Sequence, residues 1–278
     1  MVGSAIGIIA GGGDLPRAIA ESARDAGREV FILALRGSSE DWVSNFQHEW
    51  VSLGETGKAF RALRTGNVGD VLLAGRVERP KFSDIKLDAK SVMLAPRVMA
   101  AALKGDDALL RSVVDLFERE GFHVIGAAEA APNLIAQAGV LGRLRPSADD
   151  ERDIGLAFKV VRALGELDVG QASVVCAGLT LGVEAAEGTD AMIARISALP
   201  EHLRGTTARR RGVLAKAPKP VQDRKTDLPV IGLQTVRNVA AVGLAGIAVE
   251  AGGALIVDKL AVGAEADKLG LFVVGVSA

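Results

Sequence analysis

AIGIIAGGGDLPRAIAESARDAG, Ala5–Gly27, is the stretch whose reading decides the fold. Ala5 to Ala10 is an apolar run too short for a helix and closed by glycine, which reads as a buried strand. Gly11, Gly12 and Gly13 then turn the chain, and Pro16 stands early in an amphipathic segment that ends at Gly27. Proline near the start and glycine past the end mark a helix: a first turn has no use for the N–H that proline lacks, and glycine accepts the backbone that closes a last turn. Strand, glycine turn and helix together open a parallel α/β unit.

The alternation continues outward. Val30–Leu35 predicts a second strand, Thr56–Arg64 a helix and Val71–Ala74 a third strand; helices over Ser91–Leu103 and Ala108–Gly121 lead to a strand in Phe122–Ala127, with Asp106 or Asp107 as a charge at a helix start. Residues 130–147 carry Pro132 and Pro146 without a clear period, and an inter-domain linker is placed at 131–147. Beyond it come a polar helix near Asp149–Gly165, a strand Ala172–Ala177, a helix that Thr189 caps and another that Thr235 caps. The apolar run Val236–Val257 holds Arg237, Asn238 and Glu250, so it reads as a helix followed by a buried strand rather than a membrane span. A chain of 278 residues exceeds what one core usually serves, and two domains of about 130 to 150 residues are expected.

Composition excludes several classes. With 33 basic against 34 acidic residues there is no global field to recruit nucleic acid. Cys176 is the single cysteine, which removes an internal disulfide and a multi-cysteine zinc site; within SVVCAG it reads as a core thiol. His48, His123 and His202 are widely spaced and form no metal or triad motif. The first residues show no basic segment followed by a cleavable apolar run, which predicts a cytoplasmic protein.

Three segments carry candidate chemistry. In a parallel sheet ligands bind past the carboxyl ends of strands, here Gly12, Gly13 and Asp14 after the first strand and Gly75 and Arg76 after the third. GGGDLP can hold a phosphate on backbone N–H groups, or it can be a turn that needs glycine for conformation alone. It departs from GxGxxG because Pro16 occupies the third glycine position; Arg36 after the second strand leaves an NADP-dependent oxidoreductase open as an alternative. VEAAEGTDAMIAR brings Glu184, Glu187 and Asp190 together, hard oxygen ligands suited to Mg²⁺ or Mn²⁺ or else an acidic first turn serving its own helix; Thr189 offers a phosphate its hydroxyl. GVLAKAPKPVQDRKTDLPVIGLQT, Gly212–Thr235, sets lysines and carboxylates among Pro218, Pro220 and Pro229, which hold a charged loop rigid without making it a helix; it is either a site for chemistry or a surface turn whose charges are incidental. Cations and carboxylates of this kind suit phosphoryl chemistry by displacement with water.

With GGGDLP, VEAAEGTDAMIAR and KAPKPVQDRKTDLPVIGLQTV in this order, the chain resembles the LpxI-type UDP-2,3-diacylglucosamine pyrophosphatases of Gram-negative bacteria over essentially its whole length. The resemblance implies a Rossmann-like N-terminal domain, residues 1–130, with a parallel sheet, and a second, catalytic α/β domain, residues 148–278. It implies hydrolysis of the diphosphate of UDP-2,3-diacylglucosamine to UMP and 2,3-diacylglucosamine 1-phosphate at a site between the domains, with Mg²⁺ or Mn²⁺, in a homodimer with peripheral contact at the inner membrane. A non-catalytic nucleotide-lipid carrier is the remaining alternative. Asp227 of the DLP motif matches the family's essential aspartate; Asp223 and Asp190 are supporting metal ligands, Lys216 and Lys219 counter developing charge, and Gln222 and Asp223 join the substrate contacts. Val221 stands where the family motif favours glycine. The Ser91–Leu103 segment either lines an apolar groove for acyl chains or is an ordinary core helix.

Overall fold

The structure is a computed structural model describing residues 5–77, 85, 87–103, 105–219 and 228–277. The chain divides into two compact units, Met1–Asn133 and Leu134–Ala278.

The first unit runs β1 (Ala5–Ala10), α1 (Asp14–Asp25), β2 (Val30–Leu35), β3 (Gln47–Val51), α2 (Thr56–Thr65), β4 (Val68–Ala74), α3 (Ala89–Ala102), α4 (Asp106–Arg119), β5 (His123–Val124) and α5 (Ala127–Ala130). Its sheet has the order β3-β2-β1-β4-β5 with every neighbouring pair parallel. β1 is central and buried at all six positions, as a strand covered on both faces must be. Phe60 of α2, Phe117 of α4 and Phe122 pack with ring centroids 5.3 to 6.2 Å apart and hold these helices on the sheet. β3 has no counterpart in the sequence reading: Gln47, His48 and Glu49 are polar, and only Val51 is buried on this edge strand. The strand expected over Phe122–Ala127 is two residues long.

α3 is not a core helix. Ser91 is its one buried residue, while Val92, Met93, Met99 and the following Leu103 are 56%, 82%, 48% and 90% exposed.

The second unit runs β6 (Gly139–Leu141), α6 (Ala148–Glu166), β7 (Ala172–Cys176), β8 (Leu179–Val183), α7 (Gly188–Ile196), β9 (Val213–Lys216), β10 (Val230–Ile231), α8 (Leu233–Ala241), β11 (Gly246–Glu250), β12 (Leu255–Ile256), α9 (Lys259–Leu269) and β13 (Phe272–Val276). Its main sheet, β6-β13-β11-β9-β7-β8, is mixed: β13, β11 and β9 are parallel, and β6 and the β7–β8 hairpin are antiparallel additions at the two sides. The stretch assigned to a linker therefore contains a strand of this sheet, β6, pairing Leu141 with Val273. α6 starts on a capping box in which Ser147 and Asp150 satisfy each other's backbone N–H groups. It lays Ile154, Phe158 and Val161 against Val213, Ala248 and Phe272 on one face of the sheet. Val236 and Val239 of α8, Val262 and Ala266 of α9 and Met192 of α7 fill the core on the other face.

The first sheet's strand ends are drawn together where glycine is obligatory. Gly12 N–H donates to Arg76 O at 2.8 Å and Arg76 N–H to Gly12 O at 2.9 Å, an antiparallel bridge between the turns after β1 and β4. Gly75 adopts φ +91°, and a Cβ there would lie 2.7 Å from Pro16 Cγ and 2.8 Å from Gly12 O. Left-handed strain and this overlap together predict that Gly75→Ala destabilises the protein by about 2 kcal/mol or more, read as an earlier chemical-denaturation midpoint. An unchanged midpoint would show that the bridge is not tight.

Candidate active site

The second sheet collects its charged residues at one end. β9 ends in Lys216, paired in register with Ala172 at the start of antiparallel β7 and with Val249 near the end of parallel β11. Glu250 ends β11, and Glu184 follows the last residue of β8. Because β7 and β8 run as a hairpin beside parallel strands, the exit of β8 meets the exit of β9. That is where an α/β sheet places a ligand.

Lys216 is only 5% exposed. A buried ammonium needs partners, and Nζ donates to Thr189 Oγ1 at 3.0 Å and to Val230 O at 3.2 Å. Thr189 Oγ1 donates to Glu184 Oε1 at 2.7 Å, and Glu184, 7% exposed, accepts the Gln171 N–H on Oε2 at 3.1 Å. Gly170 makes this approach possible, since a Cβ there would sit 2.1 Å from Glu184 O. Gln171 Oε1 is buried and has no hydrogen-bond partner among the described residues.

Thr189 is not the cap of α7. The helix begins at Gly188 with Glu187 in the capping position, and the Thr189 hydroxyl turns to Glu184 and Lys216. Thr235 lies inside the first turn of α8, where its Oγ1 accepts the Gly232 N–H at 3.5 Å.

Glu187 and Asp190 of this segment have partners of their own. Glu187 ion-pairs with Arg195 at 3.1 Å; its own backbone N–H, with help from Arg195, holds its carboxyl below the usual range. Asp190 is exposed and accepts from Asn238 Nδ2 at 2.9 Å. Lys219, 16% exposed, pairs with Asp168 at 2.7 Å.

Among the metal ligands expected from the sequence, Asp190 is described, whereas Asp223 and Asp227 lie outside the described residues, as does Gln222. Carboxylates suit a hard divalent cation. Among the described residues no group of three or more His, Cys, Asp or Glu side chains is placed to hold one.

In the first unit, Gly12 and Arg76 satisfy each other's backbone groups, and Gly11 N–H donates to Ala74 O at 2.8 Å, so these N–H groups are already occupied. Gly13, at φ +89°, precedes α1, whose first residue is Asp14. Glu250, Arg162, Asp168, Asn238 and Gln171 stand in the second unit without a sequence motif that singles them out. Glu250 is 5% exposed, with Arg162 Nη2 3.5 Å from its carboxylate. The available signal was an acid closing the apolar run GIAVE.

Cys176 is buried at the end of β7, and burial pushes its thiol pKa up. Native protein at pH 8 is therefore expected to react with iodoacetamide at least about tenfold more slowly than denatured protein, measured by intact mass. Equal rates would mean that the thiol is accessible.

A family profile described as the LpxI N-terminal domain matches residues 5–134, and one described as the LpxI C-terminal domain matches residues 137–274. UDP-2,3-diacylglucosamine pyrophosphatase LpxI of Caulobacter vibrioides is 48% identical over 271 residues, covering 98% of this chain and 97% of that relative.

Proposed function

We infer that this chain, which belongs to the LpxI family, is a hydrolase that cleaves the diphosphate of UDP-2,3-diacylglucosamine to UMP and 2,3-diacylglucosamine 1-phosphate in lipid A biosynthesis. The observation that carries this reading is the match to a relative named for that pyrophosphatase, at 48% identity across almost the whole of both chains.

Water attacks one phosphorus, the bridging P–O bond breaks, and the leaving phosphate takes the electron pair. Attack at either phosphorus gives the same two products. Lys216 is the cation assigned to developing charge on the diphosphate oxygens: it is already ordered and largely desolvated, so its charge acts more strongly than in bulk water. Lys219 adds a second positive charge, shared with Asp168. Asp227 orients the attacking water, in keeping with its place in the DLP motif. Asp227, Asp223 and Asp190 are proposed to hold Mg²⁺ or Mn²⁺, which when bound supplies positive charge against the diphosphate. Gly12, Gly13, Asp14, Gly75 and Arg76 remain proposed contacts for the nucleotide or sugar phosphate, together with Gln222.

Incubating the protein with substrate, with Mg²⁺ or with EDTA, and weighing the products tests this reading. UMP and the lipid phosphate should form with Mg²⁺, slow sharply with EDTA, and fall about 10²- to 10⁴-fold in rate in Asp227→Ala. Tight binding without turnover would instead mark a carrier, and a wild-type rate in a folded Asp227→Ala variant would remove Asp227 from the chemistry.

We also propose a homodimer and peripheral contact with the inner membrane. The substrate is an amphiphile, and the exposed Met93 and Leu103 at α3 are the apolar side chains assigned to the bilayer. No helix among the described residues is long and apolar enough to cross a membrane. Vesicle flotation should lose about tenfold in bound fraction in Met93→Ser/Leu103→Ser, while light scattering still reports twice the chain mass. Unchanged flotation rejects the α3 assignment, and a single chain mass rejects the dimer.

A further inference from the structure

We propose that Glu184 is a positioning residue for Lys216, acting through the hydroxyl of Thr189; the proposal rests on the reading that Lys216 serves the diphosphate.

The polarity of the contact follows from proton inventory. An ammonium has no lone pair to offer and a carboxylate no proton, so a hydroxyl between them must accept from the first and donate to the second. Thr189 Oγ1 does both, at 3.0 Å from Lys216 Nζ and 2.7 Å from Glu184 Oε1. In this arrangement its one proton is donated to Glu184. Thr189 thus couples two buried charges, one 5% and the other 7% exposed.

Glu184 is anchored to the frame of the sheet. Its backbone N–H donates to Ala172 O at 2.9 Å, and its second carboxylate oxygen accepts the Gln171 N–H. Gly170 lets the preceding turn lie against it. Lys216, by contrast, carries its charge on a flexible four-carbon stem. A fixed carboxylate, acting through a hydroxyl on the first turn of α7, gives that ammonium a defined place before any substrate arrives. Order established in advance need not be created during the reaction. A structural role alone would stabilise the fold without any bearing on kcat.

Steady-state hydrolysis of UDP-2,3-diacylglucosamine, with thermal unfolding measured on each variant, separates these roles. Lys216→Met should lower kcat by about 10²-fold or more. Glu184→Gln and Thr189→Val should each lower kcat about 10- to 100-fold with KM changed less than about threefold. The double variant should be little worse than the worse single one, because both changes cut the same relay. Thr189→Ser, which keeps the hydroxyl, should recover most of what Thr189→Val loses. If Lys216→Met keeps the wild-type rate, the reading of Lys216 falls and this proposal with it. If Lys216→Met is impaired while Glu184→Gln is not, or the two losses multiply in the double variant, Lys216 stands and the positioning role is rejected. Should Glu184→Gln not fold, the threonine pair decides: Thr189→Val at the wild-type kcat, or Thr189→Ser as impaired as Thr189→Val, overturns the proposal.

Discussion

A positive charge taken out of water at the end of β9 governs the architecture of the second unit. Lys216 cannot stay buried without hydrogen-bond acceptors, and among the described residues Thr189 of α7 and Val230 of β10 supply two of them. Thr189 turns its hydroxyl to Lys216 from the first turn of α7, which begins at Gly188, a short turn after the exit of β8. Glu184 must lie behind Thr189, which requires glycine at 170. The mixed sheet brings these groups to one end, because an antiparallel hairpin beside parallel strands puts the exit of β8 next to the exit of β9. Other charges of this unit pair locally: Glu187 with Arg195, Lys219 with Asp168, and Arg162 near Glu250.

The first unit answers a different constraint. Its glycine turn has the form that usually holds a phosphate, yet the Gly12 N–H joins it to the turn after β4 and the Gly11 N–H is taken by Ala74 at the end of β4. Gly75 and Pro16 approach so closely that no side chain fits at 75. This unit therefore keeps the strand order of a nucleotide-binding sheet while its turns first serve each other. The exposed apolar side of α3 is its other departure from a simple reading, since the same Leu, Val, Met and Ala composition suits a core helix or an exposed interaction surface equally well.

Much of the fold was legible because local signals agreed with the tertiary outcome. β1 and β2 fall at Ala5–Ala10 and Val30–Leu35, as their unbroken apolar runs required. β3 was not legible: an edge strand buries little, so nothing forces its polar residues into a recognisable pattern. β6 was hidden for a related reason, being three residues long and paired with β13 at the other end of the unit. Thr189 shows how a sound local rule fails. Its hydroxyl suits a helix cap, but a buried ammonium and carboxylate compete for the same oxygen and prevail.

From sequence alone follow the α/β class, the glycine turn that must close β1, and the three ordered segments that carry the family resemblance. These depend on periodicity, backbone preference and short motifs, all written within a few neighbouring residues. Only the tertiary structure decided that Thr189 links the buried charges of Glu184 and Lys216, that Lys219 belongs with Asp168, and that Glu250 is withdrawn from solvent. Thr189 and Lys216 are 27 residues apart, and Lys219 and Asp168 are 51 apart. No local pattern encodes such pairings; they arise when strand order carries distant residues to the same end of a sheet and burial obliges each charge to find a partner.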